Sequence, residues 1–394
     1  MLKTPFYYYD LSLLDRTLKA LKSAITDSSY HVHYAIKANA ESRILKKMID
    51  YGLGADCVSG NEIIRALDTG FDPKDIVLAG VGKTDEELTL AIKNNIHSIN
   101  CESIEELEVI DQVAKQNNAI AKIAFRLNPN VDAQTHRHIT TGLSENKFGI
   151  PIADLGIAIE ELSKYNNIKL TGVHFHIGSQ ILSLNPYAKL CYAVNDVLTF
   201  LDSKNIKIEH LNLGGGLGIN YHEPETNPIP NFEEYFKVFD KFLKPKPYQS
   251  VHFELGRSLV GQMGSLISKV LYVKVGKETK FVIIDAGMTD LIRPALYNSY
   301  HKIENISSSA EEEPYKVVGP ICESTDTFGE AVLPMTSRGD ILQIRSAGAY
   351  GQVLSSNYNL RDRAESVYSD KWDLASITVD KKQPGSNGKS QEVA

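Results

Sequence analysis

Between residue 31 and about residue 257 the chain repeats one arrangement: a short apolar run, a polar turn, then a stretch with apolar residues three and four positions apart. The short runs are HVHYAIK (31–37), GADCVS (54–59), IVLAG (76–80), HSINCE (97–102), AKIAFRLN (121–128), LTGVHFHIG (170–178), IEHLNLGGG (208–216) and SVHFELGR (250–257). Short apolar runs bounded by turn residues predict buried strands. The stretches between them, such as NEIIRALDTG, IEELEVIDQVAKQNN and NPYAKLCYAVNDVLTFLDSKN, predict amphipathic helices. Eight strand–helix units in about 230 residues fit a closed (β/α)8 barrel of the TIM type, which takes roughly 250. An open doubly wound sheet is the alternative, but it seldom has eight strands with one helix after each.

After residue 264 the rhythm changes. SLISKVLYVKV, KFVIIDAG, PYKVVGPIC, AVLPMTSRGDILQIRSAGAYG and SVYSDKWDLASITV read as strands joined by turns, with few helical stretches. The fold class expected is α/β plus β. An N-terminal segment (1–30) packs with the β domain, a barrel spans 31–263, and a mostly β domain spans 264–380. NISSSAEEEP (305–314) is expected as a surface loop, and 381–394 has the composition of a disordered tail.

Composition narrows the function classes. The chain has 394 residues, 42% hydrophobic and 23% charged, which suits a globular protein with a full core. Its net charge of −7 argues against a nucleic-acid partner. No apolar run is long enough to span a bilayer, and the start, MLKTPFYYYD, is too polar and aromatic for an export signal. Cys57, Cys101, Cys191 and Cys322 are scattered, with no CxxC pair. That spacing fits neither a disulfide framework nor a metal site and suits a reducing cytoplasm.

In a barrel of this kind reactive groups gather where the strands end at their carboxyl side. The first strand brings Lys37 there, the second Asp56 and Ser59, and the fifth Arg126 with a following loop that carries His136 and His138. The sixth brings His174, His176 and Ser179, the seventh Gly214, Gly215 and Gly216, and the eighth Glu254, Gly256 and Arg257. A glycine run alone is most simply a tight turn. After a seventh barrel strand it becomes a candidate phosphate cradle, with Ser179 and the Gly256–Arg257 turn as further donors. A lysine at a strand end is usually a solvated amine. Within YAIKA, burial is expected to lower its pKa and make it nucleophilic toward carbonyls. An amine nucleophile beside a phosphate cradle suggests pyridoxal phosphate held as a Schiff base, although a class I aldolase would combine the same parts.

Glu254 helps to separate the two, because a carboxylate there could keep a pyridine nitrogen protonated. A structural ion pair with Arg257 or another rim cation is the equal alternative. His176 could stack on the ring or be a satisfied core histidine. Further along, Arg293 could clamp a carboxylate or make a surface salt bridge. Cys322 could be a buried inert thiol or a proton donor.

Seven ordered motifs, YAIKAN, HFHIGSQ, LNLGGGLG, ELGRSLVG, DLIRPALY, GPICEST and GAYGQVLSSNYN, resemble the fold-type III pyridoxal-phosphate decarboxylases over nearly the whole chain. DLIRPALY, CEST and GAYG followed by SSNYN resemble the branch that acts on diaminopimelate. The resemblance implies a (β/α)8 barrel with a C-terminal β domain, the plan that alanine racemase shares. It implies loss of carbon dioxide from meso-2,6-diaminopimelate to give L-lysine, the last step of lysine biosynthesis. Lys37 would carry the cofactor. Asp56 would sit near the lysine and ring, and His176 would stack on the ring. Ser179, Gly214, Gly215, Gly216, Glu254, Gly256, Arg257 and Tyr350 would hold the phosphate and the pyridine nitrogen.

The small-molecule substrate would bind Arg257, Arg293, Tyr297, Glu323 and Tyr350, with Cys322 as proton donor. The family also implies a homodimer whose active site is shared, Cys322 and Glu323 arriving from the partner chain. One departure is Leu255, where the family usually has proline, so a less rigid turn is expected. The competing enzyme reading is a polyamine-pathway decarboxylase acting on carboxynorspermidine, ornithine or arginine. A non-catalytic regulatory homologue ranks lower, because Lys37 and Cys322 are both present.

Overall fold

A computed structural model describes residues 2–131 and 147–374, so His136, His138 and the tail lie outside the described residues. The first strand is β1 (Phe6–Tyr9). Eight parallel strands then form the barrel: β2 (Tyr30–Ala35), β3 (Gly54–Cys57), β4 (Ile76–Leu78), β5 (Ser98–Cys101), β6 (Ala121–Asn128) and, after a two-residue strand β7 (Ile150–Pro151) beside β6, β8 (Ile168–Phe175), β9 (His210–Gly215) and β10 (Ser250–Leu255). Each barrel strand pairs in parallel with its neighbour in the chain, and β10 pairs with β2, which closes the ring. The eight expected strands and the closed barrel are borne out.

The helices between them form for local reasons. Helix Asp85–Lys93 starts at a capping box, in which Thr84 and Glu87 satisfy each other's backbone N–H groups. Helix Gly60–Thr69 starts with Ser59 accepting from the Glu62 N–H and ends at Gly70, whose φ of 110° only glycine adopts without strain. Ser59 is therefore spent on capping, not on chemistry. Helix Asn185–Ser203 buries Tyr187, Leu190, Cys191, Val194, Val197, Leu198 and Leu201, a spacing of three and four. Each large apolar side chain so buried stabilises by about 1.5–3 kcal/mol. Helix Phe232–Phe242 is pinned to the barrel wall by rings: Phe236 and Phe239 meet Phe253 edge-on at 5.1 and 4.9 Å.

The second sheet contains β11 (Gly264–Val275), β12 (Lys280–Ile284), β13 (Ile303–Asn305), β14 (Glu312–Val318), β15 (Thr327–Pro334), β16 (Ile341–Ile344) and β17 (Glu365–Tyr368). Strand β1 joins it between β11 and β17, antiparallel to the first and parallel to the second. The helix that follows, Leu11–Ala24, buries Leu14, Leu18 and Leu21 in the core shared with the barrel. The expected loop at 305–314 is corrected. Glu312, Glu313 and Pro314 already belong to β14, opposite Pro334, Leu333 and Val332. Pairing across strands overrides the poor strand propensity of that triplet.

Toward the amino ends of the strands the barrel is filled by imidazoles. His33, His210 and His252 are buried, with His97 beside them. His33 Nδ1–H donates to the Asp75 carbonyl (2.9 Å), so its Nε2 accepts from His252 Nδ1–H (2.7 Å), and His252 Nε2 accepts from Ser250 (2.8 Å). The rings take space that glycines leave: a Cβ on Gly172 would lie 2.3 Å from His210 Nε2. Burial and the neighbouring imidazoles push His33 down to about 4 and His210 to about 3, and His252 well below its ordinary value.

These rings are neutral in the folded chain, whereas unfolded histidine charges near pH 6.5. Stability from them is therefore complete above about pH 6.5 and lost as pH falls toward about 4, by up to about 1.4 kcal/mol per pH unit for each ring. Urea unfolding should show a slope of stability against pH in this window that is shallower by about that amount in His210→Phe. An identical slope would mean that His210 titrates alike in both states.

Candidate active site

The carboxyl end of β2 runs into a single 3-10 turn, Ile36–Ala38, which turns Lys37 off the strand and onto the barrel's open face. Three contacts fix this turn. Tyr34 Oη donates to the Asn39 carbonyl (2.8 Å), Asn39 Nδ2 to the Gly348 carbonyl (2.9 Å), and the Tyr350 N–H to the Ala38 carbonyl (2.8 Å). Two of them come from the second sheet's loops. Lys37 Nζ lies 2.8 Å from Asp56 Oδ2, and its side chain is 37% exposed, enough to be reached from the cavity while Asp56 is fully buried.

The expectation of a lowered lysine pKa is corrected. Burial does pull it down, but Asp56, Tyr350 and Glu254 outweigh burial and hold it well above its ordinary value. The amine keeps its proton until a neighbour takes it.

Glu254, on β10, is buried and accepts from Asn212 Nδ2 (2.8 Å), Asn100 Nδ2 (3.5 Å) and His174 Nε2–H (3.0 Å). Burial alone would raise its pKa. His174 and Lys37 overcome that and hold the carboxyl well below the usual carboxylate range. Asp56 moves the other way: burial and the Glu254 charge raise it, and Lys37 only partly offsets them. Burial and charge thus push the two acids in opposite directions, Glu254 toward its ionised form and Asp56 away from it. The alternative partner for Glu254, Arg257, is engaged elsewhere.

The end of β9 admits only glycine. Gly214 and Gly216 have φ of 66° and 98°, and a Cβ on Gly215 would lie 1.8 Å from the Glu254 carbonyl oxygen. The Gly215 N–H donates to His176 Nδ1 (3.3 Å), so the neutral ring carries its proton on Nε2. Burial, Arg126 and Lys37 push His176 down to about 3. A Cβ on Gly256 would lie 3.1 Å from the methyls of Ala35 and Ala38, and Leu255 is fully buried opposite Tyr34.

These elements surround a cavity of about 620 Å³. Lys37, His176, Ser179, Gly216, Glu254 and Gly256 border it from the barrel, and so does Arg257. Arg293, Tyr297 and Tyr350 border it from the second sheet's side. Asp56, Gly214 and Gly215 stand behind that wall. Arg257 donates to Tyr221 Oη (2.5 Å) and Ser179 Oγ (3.1 Å), with its guanidinium 4.8 Å from the centre of the Tyr350 ring.

Arg293 also donates to Tyr221 Oη (2.6 Å), as well as to Ser299 Oγ (3.3 Å). It is buried, so its expected alternative as a surface salt bridge does not hold. Arg126, at a strand end, pairs instead with the buried Glu102 at 2.7 Å. Cys322 and Glu323 do not join the cavity in one chain. Both are exposed, Cys322 donating its N–H to Asn359 and Glu323 accepting from Tyr358 Oη (2.6 Å). The reading of Cys322 as a buried thiol is corrected.

Sequence reading missed Tyr221, Asn100 and Asn212. The two asparagines carry a faint signal, a lone amide inside HSINCE and HLNLGGG where an apolar residue would be ordinary. Tyr221 follows the glycine run in an irregular stretch and carries none.

The donor set fits pyridoxal phosphate. An amine stands ready for its aldehyde and an ionised buried acid for its ring nitrogen, and a glycine cradle with a serine and an arginine suits its phosphate. Beside the cradle, Arg257 Nε and Ser258 Oγ are buried with no hydrogen-bond partner among the described residues, a vacancy that an anion would satisfy.

Comparison with known proteins agrees. The family described as "Pyridoxal-dependent decarboxylase, pyridoxal binding domain" matches residues 11–261. The chain is 52% identical to the diaminopimelate decarboxylase of Bacteroides thetaiotaomicron, across 94% of this chain and 96% of that protein. It is 40% identical to that of Neisseria meningitidis, across 93% and 90%. Among solved structures, Helicobacter pylori diaminopimelate decarboxylase complexed with L-lysine superposes with a TM-score of 0.88 at 39% identity, covering 93% of this chain and 92% of that one. An arginine decarboxylase from a Chlorella virus, at 21% identity and a TM-score of 0.83, shares the fold.

Because Asp56 holds the proton on Lys37, Asp56→Asn should let the amine lose it at lower pH. The rate at which the cofactor-free protein gains visible absorption from added pyridoxal phosphate rises with pH, and the variant's curve should lie about one unit or more toward acid. Superimposable curves would show that Asp56 does not control the amine. Lys37→Ala should gain no such band at any pH.

Proposed function

Since the chain belongs to the pyridoxal-dependent decarboxylases, we propose that it removes carbon dioxide from meso-2,6-diaminopimelate to leave L-lysine, the last step of lysine biosynthesis. The observation that carries this reading is a pair of buried cations on the cavity that Lys37 borders. Among the described residues neither Arg257 nor Arg293 forms an ion pair with an acid. Diaminopimelate keeps a second amino-acid end, whose carboxylate supplies the missing anion. Polyamine-pathway substrates with a bare distal ammonium would set a third cation beside these two. The L-lysine in the Helicobacter pylori structure matches the product expected here.

When bound, pyridoxal phosphate supplies an electron-accepting ring that lets the bond to the departing carboxylate break. The protein's own groups do the rest. Lys37 Nζ would carry the cofactor through its aldehyde, and Asp56 beside it would govern the proton on that amine. Glu254 holds a proton at the ring nitrogen, and His174, Asn212 and Asn100 keep that carboxylate ionised and still. Neutral His176 offers a flat face at the cavity wall. Ser179, Gly214, Gly215, Gly216, Gly256, Tyr350 and the backbone of Arg257 would hold the phosphate. Arg257, Arg293 and Tyr297 would take the distal carboxylate, and Glu323 the distal ammonium. Cys322 delivers the proton that replaces carbon dioxide.

Cys322 and Glu323 reach this task from a second copy of the chain, in a homodimer whose sites are shared. Leu360, 96% exposed, and the exposed Tyr358 flank them, and an apolar patch beside a reactive thiol suits a subunit contact. Four unpaired cysteines support a cytoplasmic setting.

The purified protein with added cofactor should form L-lysine from meso-diaminopimelate and leave ornithine, arginine and carboxynorspermidine nearly untouched. Comparable turnover of any of the three would overturn the assignment. Arg293→Ala should raise the KM for diaminopimelate by roughly a hundredfold, the loss expected for a charge-assisted carboxylate contact. Cys322→Ala should cut kcat while leaving the cofactor's visible band intact, and a lost band would instead assign the thiol to cofactor binding.

A further inference from the structure

We propose that Tyr221 is a specificity-determining residue, its hydroxyl holding Arg257 and Arg293 together as one receptor for the substrate's distal carboxylate. The inference rests on the decarboxylase reading and adds to it a residue outside the recognised motifs.

Both guanidiniums donate to the same phenolic oxygen, at 2.5 and 2.6 Å. All three side chains are buried and border the cavity. Two buried like charges repel, so something must hold them side by side. The ring of Tyr221 also contributes, its centre lying 5.0 Å from the Arg293 guanidinium and 5.9 Å from that of Arg257.

The remaining groups around the pair are neutral. His301 Nδ1–H donates to the Arg345 carbonyl (2.8 Å), which leaves Nε2 to accept from Arg293 (3.3 Å). Burial and the two arginines keep that imidazole uncharged at neutral pH. Ser299 and Ser179 offer hydroxyls, and Tyr350 and Tyr221 offer ring faces. The pair therefore keeps its full double charge for a ligand. With both acceptor positions on the Tyr221 oxygen taken by guanidiniums, its own O–H is left to donate toward the cavity. A carboxylate arriving there meets two cations and a hydroxyl already in place. Such preorganisation selects ligands that carry a carboxylate at this end over those that end in an amine alone.

Tyr221→Phe keeps the ring and removes the oxygen. In the cofactor-loaded enzyme it should raise the KM for meso-diaminopimelate about tenfold with little change in kcat, the scale of one hydrogen bond to a charged group. Calorimetry on the same protein separates positioning from a general structural role. L-lysine should bind about tenfold more weakly to the variant, whereas 1,5-diaminopentane, which lacks any carboxylate, should bind equally to both proteins. Equal L-lysine affinity in both proteins, or parallel weakening of the two ligands, would overturn the proposal. Failure of the wild type to form lysine would overturn the decarboxylase reading, and the two binding constants would still decide the role of Tyr221.

Discussion

One buried carboxylate organises this site. Glu254 stands inside the carboxyl end of a closed barrel, where an unpaired charge is costly. It remains ionised because the ring of strands surrounds it with donors: Asn100 from β5, His174 from β8, Asn212 from β9, and the Lys37 ammonium beyond them. An open sheet could not bring these strands around one point. The same residue dictates the glycines beside it, since its carbonyl oxygen leaves no space for a side chain on Gly215. The ionised acid and the bare backbone of the glycine run beside it therefore share a single origin.

The second sheet is built into the site as well as beside it. Its loops fix the turn that carries Lys37, through Gly348 and Tyr350, and they contribute Arg293 and Tyr297 to the cavity wall. Within this sheet β1 lies between β11 and β17, and Tyr7 Oη donates to the Asp290 carbonyl at 2.5 Å.

Much of this was legible in the sequence, for physical reasons that differ from part to part. Buried parallel strands read as continuous apolar runs, so AKIAFRLN matches β6 residue for residue. Strand ends can be counted, so the sequence alone puts Lys37, His176, Gly216 and Glu254 on one rim. Balances of opposing terms were not legible. The sign of the Lys37 shift depends on acids 19 and 217 residues away in the chain, and only distances decide whether they beat burial. Asn100 and Asn212 look like ordinary strand residues until the carboxylate between them is seen. Tyr221 lies in irregular chain, where no periodicity marks the face it presents. Cys322 and Glu323 lie outside the cavity of one chain, and it was the resemblance to the family, not any spacing in the sequence, that had them serve a partner's site.

The central claim is that Glu254 is charged in its buried setting at neutral pH, and vibrational spectroscopy tests it without reference to turnover. The infrared difference between the wild-type protein and Glu254→Gln at pH 7 should contain the paired stretching bands of an ionised carboxylate, unchanged when the pH is lowered to about 5. The carbonyl band of a protonated carboxyl group at pH 7 would contradict it.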